Sequence, residues 1–205
     1  DNIKEISEKF FVAYEEMMNI ILNCTGRSSI DFGSMDFVDQ PSAKKQALIN
    51  SRLMSDYCAI SGYSTYINRL MVLDSQGHFI QSGSSPGSKD DARKLLETDW
   101  FDTEAQKPAD AYQLEVVENP FFRQGNEKII PIVRTLDVAG SNSKEGWGFL
   151  GFSTKLYEEE LKQANKGDTM LATTQSGTVI AEENAEQYPE KELQKIISTL
   201  LEKEE

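Results

Sequence analysis

A phrase that occurs twice constrains this chain more than any other feature. Met71-Val72-Leu73-Asp74-Ser75-Gln76-Gly77-His78-Phe79-Ile80 is answered by Met170-Leu171-Ala172-Thr173-Thr174-Gln175-Ser176-Gly177-Thr178-Val179-Ile180. Each copy reads as an apolar strand, a polar turn closed by glycine and a second apolar strand, because a tight reversal demands the φ > 0 conformation that glycine adopts without strain. Two such hairpins suggest a tandem of related lobes. The alternative is that short hairpins recur by chance, so what lies between the copies must decide.

The best-defined helix comes first. Ile3, Ile6, Phe10, Ala13, Met17, Ile20 and Cys24 follow a 3-4-3-4 spacing, which keeps one apolar seam along roughly six turns. Such a seam either packs on the chain's own core or forms a parallel dimer interface. Residues 25–42, rich in Gly, Ser and Asp, read as a loop, and Ala43 to about Met54 resumes helical spacing. Strand signals run from Tyr66 to Leu73, cross the Gln76-Gly77 turn and return through Phe79 and Ile80. After the loop 82–88, a short helix over Asp91–Leu96 leads to Trp100-Phe101. A segment with Tyr112, Pro120, Phe121, Phe122 and Arg123 then lacks a clean period, as functional loops often do. Strands are expected over Lys128–Leu136 and Trp147–Phe152, followed by a helix that Ser153 or Thr154 can cap and that Asn165-Lys166-Gly167 closes. Past the second hairpin, Pro189 opens a helix striped by Leu193, Ile196, Ile197, Leu200 and Leu201. Antiparallel strands with helices beside them make an α+β fold.

At 205 residues, 39% of them hydrophobic, the chain can bury a core of one domain or a domain and a fraction. A formal net charge of -13 argues against nucleic acid or an anionic membrane as partner, since both require clustered Lys and Arg. Cys24 and Cys58 are too few for a zinc module or a redox pair, and read as buried small hydrophobes or, in an exported protein, a disulfide. No apolar run is long enough to span a bilayer. A sequence that begins with Asp1 and ends inside a charged helical pattern reads as a segment of a longer polypeptide, with any membrane anchor outside it.

Enzyme signatures fare poorly. Gly83-Ser84-Ser85-Pro86-Gly87 matches G-x-S-x-G in letters, but its flanks are loop-like and the single histidine, His78, lies upstream of the serine, where the hydrolase order does not put it. His78 alone cannot build a metal site and reads as a solvated turn residue. Asp102, Glu115, Glu118 and Asp137 leave a facing carboxylate pair conceivable. The expectation is a non-catalytic segment without cofactor or metal.

The order of residues is also familiar. The heptad-like first helix, Leu73-Asp74-x-x-Gly77, Trp100-Phe101, Ile130-Pro131-Ile132-Val133-Arg134-Thr135-Leu136-Asp137 and Gly148-Phe149-Leu150-Gly151-Phe152-Ser153 resemble a double Cache sensor domain. The setting of Arg134 resembles the YesM-like sensor kinases. The resemblance implies a long N-terminal helix packed on a PAS-like antiparallel sheet, with a membrane-distal lobe over residues 1–165 and a truncated or minimal membrane-proximal lobe over 166–205. It implies a ligand pocket lined by Trp100, Phe101, Tyr112 and Arg134, with Asp137 counted among the ligand-binding residues; the rival reading of Arg134 is a buried pair with a nearby carboxylate such as Asp137. Amino-acid-binding members carry an Arg, an Asp and a second Asp where this sequence has Thr98, Leu114 and Ser153, which disfavours an amino acid and leaves a sugar, an organic acid or a peptide. The expected function is ligand sensing at the extracellular face of a bacterial membrane, as part of a transmembrane receptor, foremost a two-component histidine kinase. A weak homodimer through the first helix is expected with it. The alternative is a stand-alone surface lipoprotein or adhesin.

Overall fold

The computed structural model of the chain describes residues 2–25, 41–84, 87–104, 112–113, 115–121, 127–137 and 145–203. It divides into two compact units, residues 12–153 and residues 1–11 with 154–205.

In the larger unit, strand β1 (Ile67–Asp74) is buried at every position, the apolar run Leu70–Leu73 and the polar Asn68, Arg69 and Asp74 alike, as in a strand covered on both faces. It pairs antiparallel with β2 (Phe79–Ser82) on one side and β6 (Glu145–Ser153) on the other. Strand β6 pairs in turn with β5 (Lys128–Asp137), to which the short β3 (Tyr112–Gln113) and β4 (Val117–Glu118) attach. The result is a six-stranded antiparallel sheet in the order β2-β1-β6-β5-β3.

Strand alternation sends Met71, Leu73, Ile129, Val133, Trp147 and Phe149 to one face, where they share a core with Ala92 and Leu95 of α3 (Asp91–Leu96), Phe101 of α4 (Asp99–Glu104) and Phe121. The opposite face meets the end of α1 (Asn2–Cys24): a Cβ built on Gly148 would lie only 2.5 Å from the Thr25 side chain and 3.5 Å from Ile21. Ala13, Met17, Ile20, Ile21 and Cys24 are buried accordingly. Helix α2 (Pro41–Ile60) starts on a proline, whose missing N–H costs nothing in a first turn, and runs six residues past the expected Met54. It buries Asn50, Met54 and Cys58 at i, i+4 and i+8. The Ser51 hydroxyl donates to the Gln81 carbonyl, joining α2 to β2.

The seam of α1 corrects one expectation. Ile6, Ala13, Met17, Ile20 and Cys24 are each no more than 6% exposed within a single chain, while Ile3 at the helix start is exposed. Side chains already covered by their own fold are not available to a second copy, so at these buried positions the seam is a core feature. Both thiols are free and buried. Burial pushes the Cys58 thiol up to about 11, and burial with the nearby Cys58 pushes Cys24 up to about 12.

The smaller unit holds the first turns of α1, α5 (Lys155–Ala164), a two-stranded sheet of β7 (Met170–Thr173) and β8 (Val179–Glu183), and α6 (Glu190–Leu201). Phe10 packs on Tyr157 with ring centroids 4.4 Å apart, Lys9 pairs with Glu160 at 2.9 Å, and Asn2 donates to the Ala164 carbonyl. Burial pushes the Tyr157 phenol up to about 12. Thr154 stands before α5 as expected, but its hydroxyl reaches Glu158 instead of a backbone N–H. Leu193 and Ile197 of α6 are buried, whereas Ile196 and Leu200 of the expected stripe stay exposed.

The two copies of the repeated phrase fold alike, one in each unit. Gly77 and Gly177 have φ of 85° and 89°. The N–H of Gly77 donates to the Asp74 carbonyl and that of Gly177 to Thr174. The residue after each glycine sends its N–H to the side chain that opens the turn, Asp74 Oδ1 or Thr174 Oγ1. His78, expected to be merely solvated, is held at 2.9 Å by the Asp74 carboxylate.

Candidate functional site

The α3/α4 face of the sheet carries a line of rings. Phe101 stands 5.5 Å from Trp147, Trp100 lies 6.0 Å from Phe101 and 6.3 Å from Phe149, and Phe149 lies 5.8 Å from Phe121, all measured between centroids. Such tilted and edge-on contacts are the arrangements aromatic quadrupoles favour. Trp100 alone among these rings is only half-buried, so the line reaches the surface there.

At its other end the line terminates on a charge. Arg69, the third residue of β1, is 2% exposed, with its guanidinium carbon 5.0 Å above the centre of the Phe121 ring. Its register partner on β6 is Gly151, where a Cβ would press on Ile129 and Phe149 of the same core. Burial lowers the Arg69 pKa and the neighbouring Asp91 carboxylate partly offsets this; an arginine stays charged nonetheless. The Arg69–Asp91 separation is 3.7 Å, within ion-pair range but longer than a hydrogen bond. Asp91, 1% exposed, also accepts the Ser88 N–H at 2.7 Å, the Gln81 amide at 3.1 Å and the Lys94 ammonium at 3.3 Å. This carboxylate therefore ties the segment 88–94 to the sheet.

Between β2 and that segment lies an open groove of about 470 Å³, lined by Arg69, Phe79, Gln81, Gly87, Ser88 and Lys89 among others. A Cβ on Gly87 would come within 2.3 Å of Gln81 Nε2, so any larger residue there displaces the Gln81 amide. Among the described residues the buried Gln81 Oε1 has no hydrogen-bond partner, an arrangement that costs about 1–3 kcal/mol until a donor arrives. The groove offers cationic groups, an unsatisfied acceptor and one aromatic wall. That chemistry binds and orients.

The structure brings Trp100 and Phe101 together on the aromatic face. It does not bring Arg134 to them. Arg134 is next in sequence to Val133, so it projects to the α1 side, where its Nη1 donates to Thr25 Oγ1 at 2.8 Å. Tyr112 and Asp137 are placed as backbone in β3 and β5, opposite Val133 and Glu145; their side chains, like Leu114, Phe122 and Arg123, lie outside the described residues. Glu115 and Glu118 are exposed. Among the described residues no group of three or more His, Cys, Asp or Glu side chains is placed to hold a metal ion, and no helix is long and apolar enough to cross a membrane.

Arg69, Gln81 and Asp91 escaped the sequence reading. A signal existed for the first: a charged residue directly before the apolar run Leu70-Met71-Val72-Leu73, within a segment read as strand, needs a partner and a reason.

No family model and no curated protein matches this sequence. Solved structures do. The ligand-binding domain of the Campylobacter jejuni chemoreceptor Tlp3, in complex with L-norvaline, matches over 91% of this chain and 67% of its own, at TM-score 0.57 and 14% identity. The same domain in complex with 4-methylisoleucine gives TM-score 0.56 at 13% identity, covering 91% and 67%. The extracellular domain of vpHK1S-Z8, named as a histidine kinase, gives TM-score 0.57 at 12% identity over 91% of this chain and 70% of that one. The fold is that of a Cache-type sensor domain.

These Cache-type neighbours correct the ligand expectation. The domain solved with L-norvaline and 4-methylisoleucine shares this fold, so an amino acid cannot be set aside. The earlier exclusion rested on Thr98, Leu114 and Ser153, and it removes one arrangement of contacts, not a ligand class. Thr98 spends its hydroxyl on the Leu95 carbonyl, and Ser153 is buried with its N–H on Tyr66. A carboxylate can be held by any well-placed guanidinium and an ammonium by any acceptor, and Arg69 and Gln81 are such groups.

Proposed function

We propose that this segment is the extracellular ligand-sensing domain of a bacterial transmembrane receptor, foremost a sensor histidine kinase. The unit of residues 12–153 then acts as the membrane-distal sensing lobe, and the smaller unit as the membrane-proximal one. The observation that carries the reading is the match of 91% of the chain to ligand-binding and extracellular sensory domains at TM-score 0.57. The aromatic face supports it: Trp100 brings the ring line to the surface, where an apolar ligand side chain gains contact area. Amino acids lead the ligand candidates, since the neighbours were solved with them. Signalling requires the ligand to favour one of two arrangements of the receptor over the other.

A thermal-shift screen over amino acids and other small metabolites tests this. A true ligand binds the native state and raises the melting temperature in proportion to ln(1 + [L]/Kd). The expected result is a saturable rise that shrinks in Trp100→Ala. In the full-length receptor the same compound should change autophosphorylation. A silent screen, or a rise that Trp100→Ala leaves untouched for every compound, would refute the reading.

A further inference from the structure

We infer that the groove beside β2 is the polar subsite of this sensing lobe, that it takes a short carboxylate bearing a hydrogen-bond donor on the adjacent carbon, and that Arg69 anchors the carboxylate in competition with Asp91. This rests on the sensor reading above and deepens it.

Charge sets the ligand class. In a chain of formal net charge -13, the groove is lined by Arg69 and Lys89 with no carboxylate among the described residues that border it. The nearest carboxylate, Asp91, is already engaged by Ser88, Gln81 and Lys94 as well as by Arg69. Its ion pair with Arg69 is the longest of these contacts, at 3.7 Å, and so the contact most easily exchanged for a better one. A ligand carboxylate arriving on the groove side can meet the guanidinium in a planar fork, which two parallel N–H donors make both stronger and more directional than a single long pair. The Gln81 oxygen, buried and without a partner among the described residues, takes the donor of the same ligand, an ammonium or a hydroxyl. Its orientation is fixed, because Gln81 Nε2 is committed to Asp91.

The exchange has a structural consequence. Asp91 is the first residue of α3; its contacts to the Ser88 N–H and the Lys94 ammonium brace its own segment, and its contact to the Gln81 amide, with the Arg69 pair, holds that segment to the sheet. Relieving its pairing with Arg69 lets α3 shift while those three contacts persist. Binding at the groove is thereby coupled to the helix that contributes Ala92 and Leu95 to the aromatic core.

Calorimetric titration with L-norvaline, L-norvalinamide and 2-hydroxypentanoate, on the parent, Arg69→Met and Asp91→Asn, tests the inference. The amino acid and the hydroxy acid should bind and the amide should not. Arg69→Met should lose binding by at least about tenfold, and Asp91→Asn should gain about tenfold by removing the competing charge while keeping the acceptor shape. Circular dichroism checks that Arg69→Met is folded; if it is not, the gain in Asp91→Asn decides alone. Amide binding as tight as the acid, or norvaline binding unchanged in Asp91→Asn, overturns the inference and leaves the sensor reading intact. No binding by any of the three also overturns it, and the sensor reading then falls only if the wider screen is silent too.

Discussion

The pairing of Asp91 with Arg69 makes a sharp stability prediction. Replacing Asp91 by alanine strips three donors and a buried guanidinium of their shared acceptor. Lys94 is 23% exposed and can turn to water, but Arg69 is 2% exposed and cannot. Removing one partner of a buried pair costs about 3–5 kcal/mol, because the other charge remains desolvated. For a unit of this size that is a fall in Tm of about 6–20 °C. Arg69→Met keeps most of the side-chain volume over Phe121 while removing the charge, so the double variant Arg69→Met/Asp91→Ala should recover about 2–3 kcal/mol relative to the sum of the singles. Urea unfolding followed by tryptophan fluorescence reads this cleanly, since both tryptophans, Trp100 and Trp147, lie on the aromatic face of the 12–153 unit. Strictly additive singles, with coupling below about 0.5 kcal/mol, would refute the claim that Asp91 neutralises Arg69.

Two further outcomes follow from particular residues. Gly77→Ala should destabilise its hairpin by about 1 kcal/mol, read as a lower urea midpoint, because φ of 85° strains any Cβ although space is open around it; an unchanged midpoint would show that the turn relaxes freely. Stability should also fall at alkaline pH. The Cys24 and Tyr157 protons are held up to about 12 and that of Cys58 up to about 11, above the ordinary 9.0 and 10.0, so between pH 9 and 12 the unfolded chain binds fewer protons than the native one. The unfolding free energy then declines with rising pH, and a flat profile in denaturant titrations from pH 8 to 11.5 would contradict the burial of these groups.

Local pattern carried most of the fold into view. The glycine-closed turns, the buried run of β1 and the 3-4 spacing of α1 are consequences of backbone sterics and periodicity, which act over a few residues and are written in them. The Cache-like order of elements followed from their sequence, and the solved neighbours share it.

What the sequence could not give was the side of the sheet. Val133 and Arg134 are adjacent letters, yet alternation sends one into the aromatic core and the other to Thr25, and only the pairing register says which. The seam of α1 was legible as apolar, but whether it met its own sheet or another copy depended on residues far along the chain. Arg69, Gln81 and Asp91 stand on three separate elements, and no spacing rule joins them. Their meeting is a product of strand order, and it is there that tertiary structure alone turned an isolated arginine into the charged end of a candidate site.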